Sequence, residues 1–328
     1  PPPMTSPADP AQNPIPPFDP GAPHHARPRL RPVRGFPYQA QTQDNKPLTL
    51  LGLADARQIS PKVVLVAPAA AEILPHMTGE HTLEQIAAKV GKGLTPKVLE
   101  GLVAQLDDAG LLHGPVFQQL LAKMHADFDA SPILPPAGTA EFGDQWYLQA
   151  PEEGASDERR REIVKAQYKK FFDQWIDAAL KDAPDPSVTD LPKAIVAPHI
   201  DYPRGWINYA AAYGRLRVAD RPDRVIILGT NHFGESTGVA ACDKGWSTPL
   251  GDCDVDQDVA RGLRARLGDK LFVHRYDHEH EHSIELQIPW IQHAFGADEH
   301  GKFPHVFGAL IHDPSVNSGE SYDGQGVG

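Results

Sequence analysis

Lys193-Ala-Ile-Val-Ala-Pro-His199-Ile-Asp201-Tyr-Pro-Arg-Gly205 and Arg224-Val-Ile-Ile-Leu-Gly-Thr-Asn-His232 share one design. In each, a short run of β-branched or aliphatic residues stops at Pro or Gly and a histidine follows, the pattern of a buried strand ending at a sheet rim. Between them Trp206, Tyr209, Ala210, Tyr213 and Leu216 recur at three- and four-residue steps, as the buried stripe of a helix does. Strand 194–197, this helix and strand 225–228 predict a βαβ unit, whose right-handed crossover makes the strands parallel. Parallel strands end at one edge, so His199 and His232 are expected on one rim, where open α/β sheets bind ligands.

A third stretch adds donors: His274-Arg-Tyr-Asp-His278-Glu-His280-Glu281-His282-Ser-Ile-Glu285. Neutral imidazoles and carboxylates are ordinary ligands of iron, zinc and manganese. His282 precedes a helix-spaced stripe, Ile284, Ile288, Ile291 and Phe295, interrupted by Pro289. At that helix N-terminus the partial positive charge favours a neutral, proton-accepting imidazole. His274, His278 and His280 read as a solvated acidic and basic loop.

The chain has 328 residues, 41% hydrophobic and 23% charged, enough for two domains of ordinary globular composition. Its formal charge of −12 argues against a broad nucleic-acid or anionic-membrane surface. Cys242 and Cys253 are the only cysteines, so no disulfide framework is expected and both read as ordinary thiols. No apolar run approaches the roughly 20 residues of a membrane span, and prolines stand where a signal peptide has its apolar region. A cytoplasmic protein is expected.

Residues 1–46 are rich in proline and predict an unfolded or polyproline-like arm, with His24 and His25 as a solvated pair. Residues 47–128 predict a small α+β domain. A strand falls at 62–66, and Thr82 with Gln85 forms a capping box before the Leu83, Ile86, Ala87, Val90 face. Thr95-Pro96 opens a helix running to Gly110, Leu111-Leu112 begins another strand, and a short helix covers 116–128. This is the outline of a winged helix. The candidate recognition helix 96–109 carries Lys97 against Glu100, Asp107 and Asp108, a poor DNA-binding face. Residues 129–155 read as a Pro/Gly-rich linker, and Ser156 opens a strong helix to about Lys181 whose basic face reads as solvated.

The pattern Ile59-Ser60, Val64, His76-Met-Thr-Gly-Glu-His-Thr-Leu-Glu-Gln-Ile86, Leu102, Leu106, Gly110-Leu-Leu112 resembles the small PqqD-like winged-helix domains, which hold peptides for modifying enzymes. A broader resemblance rests on four ordered motifs between about 193 and 311. These are Ala-Pro-His199-x-x-Tyr202; Arg-Val-Ile-Ile-Leu-Gly229-x-x-His232; Thr248-Pro-Leu-Gly251 with Val255-Asp256; and Glu281-His282-Ser-Ile-Glu285-x-Gln-x-Pro289. They resemble the Memo family, whose bacterial members are labelled AmmeMemoRadiSam system protein B. The resemblance implies the fold of class III extradiol dioxygenases: a mostly parallel or mixed α/β sheet with helices on both faces and a metal pocket at the strand ends.

It also implies that His199 and His232 bind a divalent metal, with iron favoured over copper or zinc, and that His282 lines the same pocket. Asp201 stands where the family has a glycine, which puts a carboxylate beside the metal histidine. The family continues past this chain's end at Gly328 with a further motif and a cysteine ligand, so the resemblance implies a domain, 156–328, truncated at its C-terminus. Three functions follow from it. The first is a non-haem-iron dioxygenase, with His199 and His232 as ligands, His282 as proton shuttle, and Asp201 or Glu281 as carboxylate. The second is a non-catalytic adaptor working with a radical-SAM enzyme or a peptide partner. The third is a metal-assisted hydrolase.

Overall fold

The computed structural model describes residues 17–41, 45–136, 154–183, 188 and 190–312. The chain divides into two compact units, Pro1–Asp127 and Phe128–Gly328.

In the first unit a one-turn helix α1 (Pro23–Ala26) precedes strands β1 (Val33–Gln41), β2 (Pro47–Asp55) and β3 (Val63–Val66). They form a three-stranded antiparallel sheet in the order β1-β2-β3, with Val33 opposite Asp55 and Gln41 opposite Pro47. The sheet is followed by α2 (Leu83–Val90), α3 (Pro96–Asp108) and α4 (Pro115–Ala130), whose last turn crosses the unit boundary. The capping box on α2 forms as expected: the Gln85 amide N–H donates to Thr82, and the Thr82 N–H donates to the Gln85 side chain. Leu53, Val64, Ile86, Leu99, Val103 and Leu106 make the core.

The unfolded-arm reading of 1–46 fails for 17–41. Pro37 sits in β1, an edge strand, the place in a sheet where proline is tolerated. Arg31 is buried against Asp55, with Nη1 to Oδ2 at 2.9 Å and Nη2 to Oδ1 at 3.2 Å, so β1 is anchored by a long-range pair that local composition does not reveal. Residues 1–16 lie outside the described residues. The sheet of this unit is built before the helices α2, α3 and α4. After α3 the chain makes a single bridge, Leu30 with Leu112, where a wing strand was expected.

The second unit is α/β. Strand β4 (Ile133–Leu134) precedes α5 (Asp157–Leu180) and α6 (Tyr202–Tyr213). Next come β5 (Arg224–Asn231), β6 (Val239–Ala241), β7 (Gly245–Thr248) and β8 (Gly251–Cys253), then α7 (Gln257–Leu267), α8 (Ile288–Phe295) and β9 (His305–His312). One sheet has the order β5-β9-β6, with β5 and β9 parallel and β6 antiparallel to β9. The other, β4-β7-β8, pairs Ile133 with Gly245 and Leu134 with Trp246. Residues 129–136 therefore belong to this unit and not to a linker, because β4 supplies a ladder to β7; residues 137–153 lie outside the described residues.

Strand β9 carries helices on both faces. Val306 and Leu310 enter the core formed with α5, α6 and α8, whereas Phe307 and Ala309 pack with Ala260 of α7 and Phe272. Strand β5 is covered on one face: Ile227 is buried, but Ile226 and Leu228 are 56% and 69% exposed. The expected strand 194–197 joins no ladder, and Val196 is 96% exposed. β-Branched composition favours an extended backbone, but 194–197 pairs with no strand among the described residues, although β5 is an edge strand joined only to β9 there. Among the described residues no helix is long and apolar enough to cross a membrane.

Candidate functional site

His199 and His232 meet although the predicted ladder does not form: their Nε2 atoms are 3.3 Å apart. His232 is delivered by the end of β5. His199 is held through its neighbours. Gln287 Nε2 donates to the Pro198 carbonyl at 2.8 Å, and the Tyr209 hydroxyl donates to the Ile200 carbonyl at 3.0 Å. Gln287 also accepts from the Tyr213 hydroxyl at 2.9 Å, while the Tyr202 hydroxyl donates to the Leu286 carbonyl at 2.8 Å. These bonds tie α6 to the 283–287 segment, so Tyr202 and Gln287 of the sequence motifs hold the histidines and do not touch the point where they meet.

His282 completes the group. Its ring stacks on that of His232, with centroids 4.9 Å apart and 12° between planes, and lies 6.2 Å from that of His199. It precedes a 3-10 turn, Glu285–Gln287, and α8 begins only at Ile288, with Pro289 in its first turn. Pro289 thus opens the helix instead of interrupting it. Burial holds the His282 pKa below the ordinary imidazole value, against the opposing pull of Glu281. Burial, aided by the neighbouring His232, lowers that of His199. His232 moves the other way, raised by its hydrogen bond to Glu281.

Glu281 is the residue whose role the sequence left open. Its carboxylate is buried and accepts from four N–H groups: the His232 amide at 2.7 Å, His232 Nδ1 at 3.0 Å, and the amides of His282 and Ser283 at 2.8 and 2.9 Å. Burial alone would raise its pKa, but these bonds, led by that of His232, bring it below the usual carboxylate value. Although Glu281, His232 and His282 lie close enough to be grouped as metal donors, a carboxylate has about four lone-pair sites and these are taken. Glu281 stands behind His232.

Asp201 takes a different task from the ligand role expected of it. It is the N-cap of α6, accepting the Arg204 amide at 3.3 Å, and its oxygens also receive Arg204 Nε at 2.8 and 2.7 Å. His278 corrects the solvated-loop reading: it is 1% exposed, and its Nε2 donates to the Ala240 carbonyl at 2.9 Å. Burial drives its pKa down to about 4. Asp277 beside it accepts from Asn231 Nδ2 and from the amides of Glu235 and Ser236, each at 2.9 Å, fixing the loop that carries His232. Cys242 and Cys253 are buried free thiols, each pushed up to about 12 by burial.

The donor chemistry at His199 and His232 fits a divalent transition metal. With Nδ1 of His232 bound to Glu281, its Nε2 carries the lone pair. Two nitrogens at the usual metal distance of about 2.0–2.1 Å in tetrahedral positions lie about 3.3 Å apart.

A second histidine cluster lies in the first unit. His24 Nε2 and His25 Nε2 approach Asp107 Oδ2 at 3.2 and 3.1 Å. His25, expected to be solvated, is buried and stacks on Phe18. The Asp19 amide donates to His25 Nδ1 at 3.0 Å, so neutral His25 carries its proton on Nε2 and gives it to Asp107. A metal on that Nε2 would strip the ring of its proton or break the Asp19 bond. The cluster is a clasp.

Comparison with known proteins agrees with the four motifs. Residues 164–320 match the family model described as Memo-like protein. A MEMO1 family protein of Sulfolobus acidocaldarius is 41% identical over 102 residues, covering 31% of this chain and 36% of that protein. One from Desulfurococcus amylolyticus is 37% identical over 136 residues, 40% of this chain and 47% of that protein. One from Thermotoga petrophila is 38% identical over 145 residues, 42% of this chain and 50% of that protein. The chain thus spans between 36% and 50% of the length of these relatives. The segment 164–320 is of the Memo family.

Proposed function

We propose that this Memo-family segment binds a divalent metal through His199 and His232, iron in preference to copper or zinc, and serves a dioxygenase-type oxidoreductase. The observation that carries the reading is the approach of the two Nε2 atoms to 3.3 Å, at a partly open site, with the other nitrogen of His232 bound to a carboxylate. Bound iron would supply Lewis-acid and electron-transfer chemistry towards a catechol and dioxygen. The protein's own part is orientation and proton handling. Gln287 and Tyr209 hold His199, and Glu281 holds His232. His282, whose pKa burial lowers, stacks on His232 beside the donor pair, where its imidazole would accept a proton from a bound acid.

A second reading is an adaptor without chemistry, with a radical-SAM enzyme or a peptide as partner. It is favoured by one observation: among the described residues, the carboxylates nearest in sequence to the histidines, Asp201 and Glu281, are engaged elsewhere. Protein purified without oxygen separates the readings. Iron at one per chain, lost in the variant His199→Ala/His232→Ala, and oxygen uptake with catechols would support the first. Iron without oxygen uptake across a broad catechol panel would favour the adaptor, and metal content indifferent to both substitutions would overturn the site.

A further inference from the structure

We infer that Glu281 is a positioning residue for His232, selecting which ring nitrogen carries the proton and therefore which one is free to bind. The inference rests on the proposed role of His232 as a ligand, but the proton position can be measured without metal. One carboxylate grips His232 twice. Oε2 accepts the main-chain amide at 2.7 Å, and Nδ1 lies 3.0 and 3.2 Å from Oε1 and Oε2. Backbone and ring are thus fixed to the same rigid group, which restricts both side-chain torsions. An ionised carboxylate only accepts, so the proton shared with it belongs to Nδ1 and the lone pair to Nε2, the atom facing His199. Glu281 is 2% exposed, so water does not compete for these contacts.

The opposite oxygen takes the amides of His282 and Ser283. The same group therefore shapes the turn that presents His282. Its acceptor capacity is filled, as in the outer shells of metal sites, where a ligating histidine donates its second N–H to a carboxylate and loss of that partner costs about 10–100-fold in affinity. Asp277 is a built-in control. It organises the same loop through Asn231, Glu235 and Ser236, and none of these contacts involves the His232 ring.

The test uses the full chain with histidine nitrogens labelled, read by two-bond nitrogen–hydrogen NMR near neutral pH without metal, and then by titration with iron(II) under anaerobic conditions. His232 is assigned by loss of its signals in His232→Ala. Wild type is expected to show His232 mainly with Nδ1 protonated. In Glu281→Gln the single amide oxygen cannot serve the ring and the three amides together, so the Nε2-protonated form should grow and iron affinity fall about 10–100-fold. Asp277→Asn should leave the proton on Nδ1. An Nε2-protonated His232 in wild type overturns the inference, as does a Glu281→Gln protein with wild-type ring signals, whatever its affinity. Should that variant fail to fold, Glu281→Asp is read in the same way, and the wild-type spectrum alone remains decisive. Wild type that binds no iron but shows the Nδ1 proton would sink the ligand role of His232 and leave its positioning intact.

Discussion

The two units each gather histidines around a carboxylate, and they do so in opposite senses. In the first, Asp107 sits where the Nε2 atoms of His24 and His25 converge. The carboxylate fills the place a cation would take, and the rings spend their protons on it. In the second, Glu281 lies on the far side of His232, and the Nε2 atoms of His199 and His232 converge on each other. Residue types are nearly the same in the two clusters. The side of the ring from which the carboxylate approaches makes one a clasp and the other a donor pair.

Exchanging the damage between the clusters gives the largest expected effect. His199→Ala/His232→Ala should lose bound metal by at least about 100-fold, with a loss of stability of about 1–3 kcal/mol because the buried Glu281 carboxylate loses the His232 Nδ1–H. His24→Ala/His25→Ala should retain the metal and lower the stability of the first unit, as measured by denaturant unfolding with metal analysis on the same samples. Metal loss from the second variant would show that the clasp reading is wrong.

His278 shows burial outweighing the carboxylates around a histidine, Asp277, Glu281 and Asp243 among them. Above pH 6.5 it is neutral folded and unfolded and contributes nothing to the pH dependence. Between 6.5 and about 4 the unfolded chain takes up a proton that the folded chain refuses, so stability falls with pH, by about 3 kcal/mol once pH is below the folded value. His278→Gln, which keeps a donor for the Ala240 carbonyl, should lack this component of acid destabilisation in unfolding curves taken from pH 7 to 4. A smaller loss, about 2 kcal/mol, is expected for Asp107→Ala, which leaves the buried Nε2–H of His25 unpaired; its unfolding midpoint should move with metal content unchanged. Asp201→Ala should cost about 1 kcal/mol through the lost cap on α6 and leave metal binding intact. Lost metal there would restore Asp201 as a ligand.

Features set by local chemistry were legible before the structure. Thr82 and Ser156 cap α2 and α5, and the aromatic steps from Trp206 onward mark α6. The pairing of His199 with His232 was legible from strand ends alone, although the first strand forms no ladder. What escaped depends on distant partners. Prolines from 17 to 41 read as disorder because Asp55, which anchors Arg31, and the β2 register appear only in three dimensions. His278 read as solvated because its neighbours in sequence are charged, whereas its neighbour in space is the Ala240 carbonyl. Glu281 was visible as a carboxylate near the histidines. Its direction of approach, on which its task depends, was not.

Gly229 brings out how close this arrangement stands to a steric limit. A Cβ at this position would lie 2.5 Å from Ser283 Oγ and 2.8 Å from Ile284 Cγ1. The 281–284 segment can lie against β5 only because that volume is empty, and Ser283 uses the proximity to donate to the Thr230 carbonyl at 2.9 Å. The site is therefore intolerant of bulk at a residue that supplies no polar side chain. One methyl group at 229 would wedge the carboxylate away from His232, so the chemistry of the rim is set as much by a missing atom in the strand as by the imidazoles beyond its end.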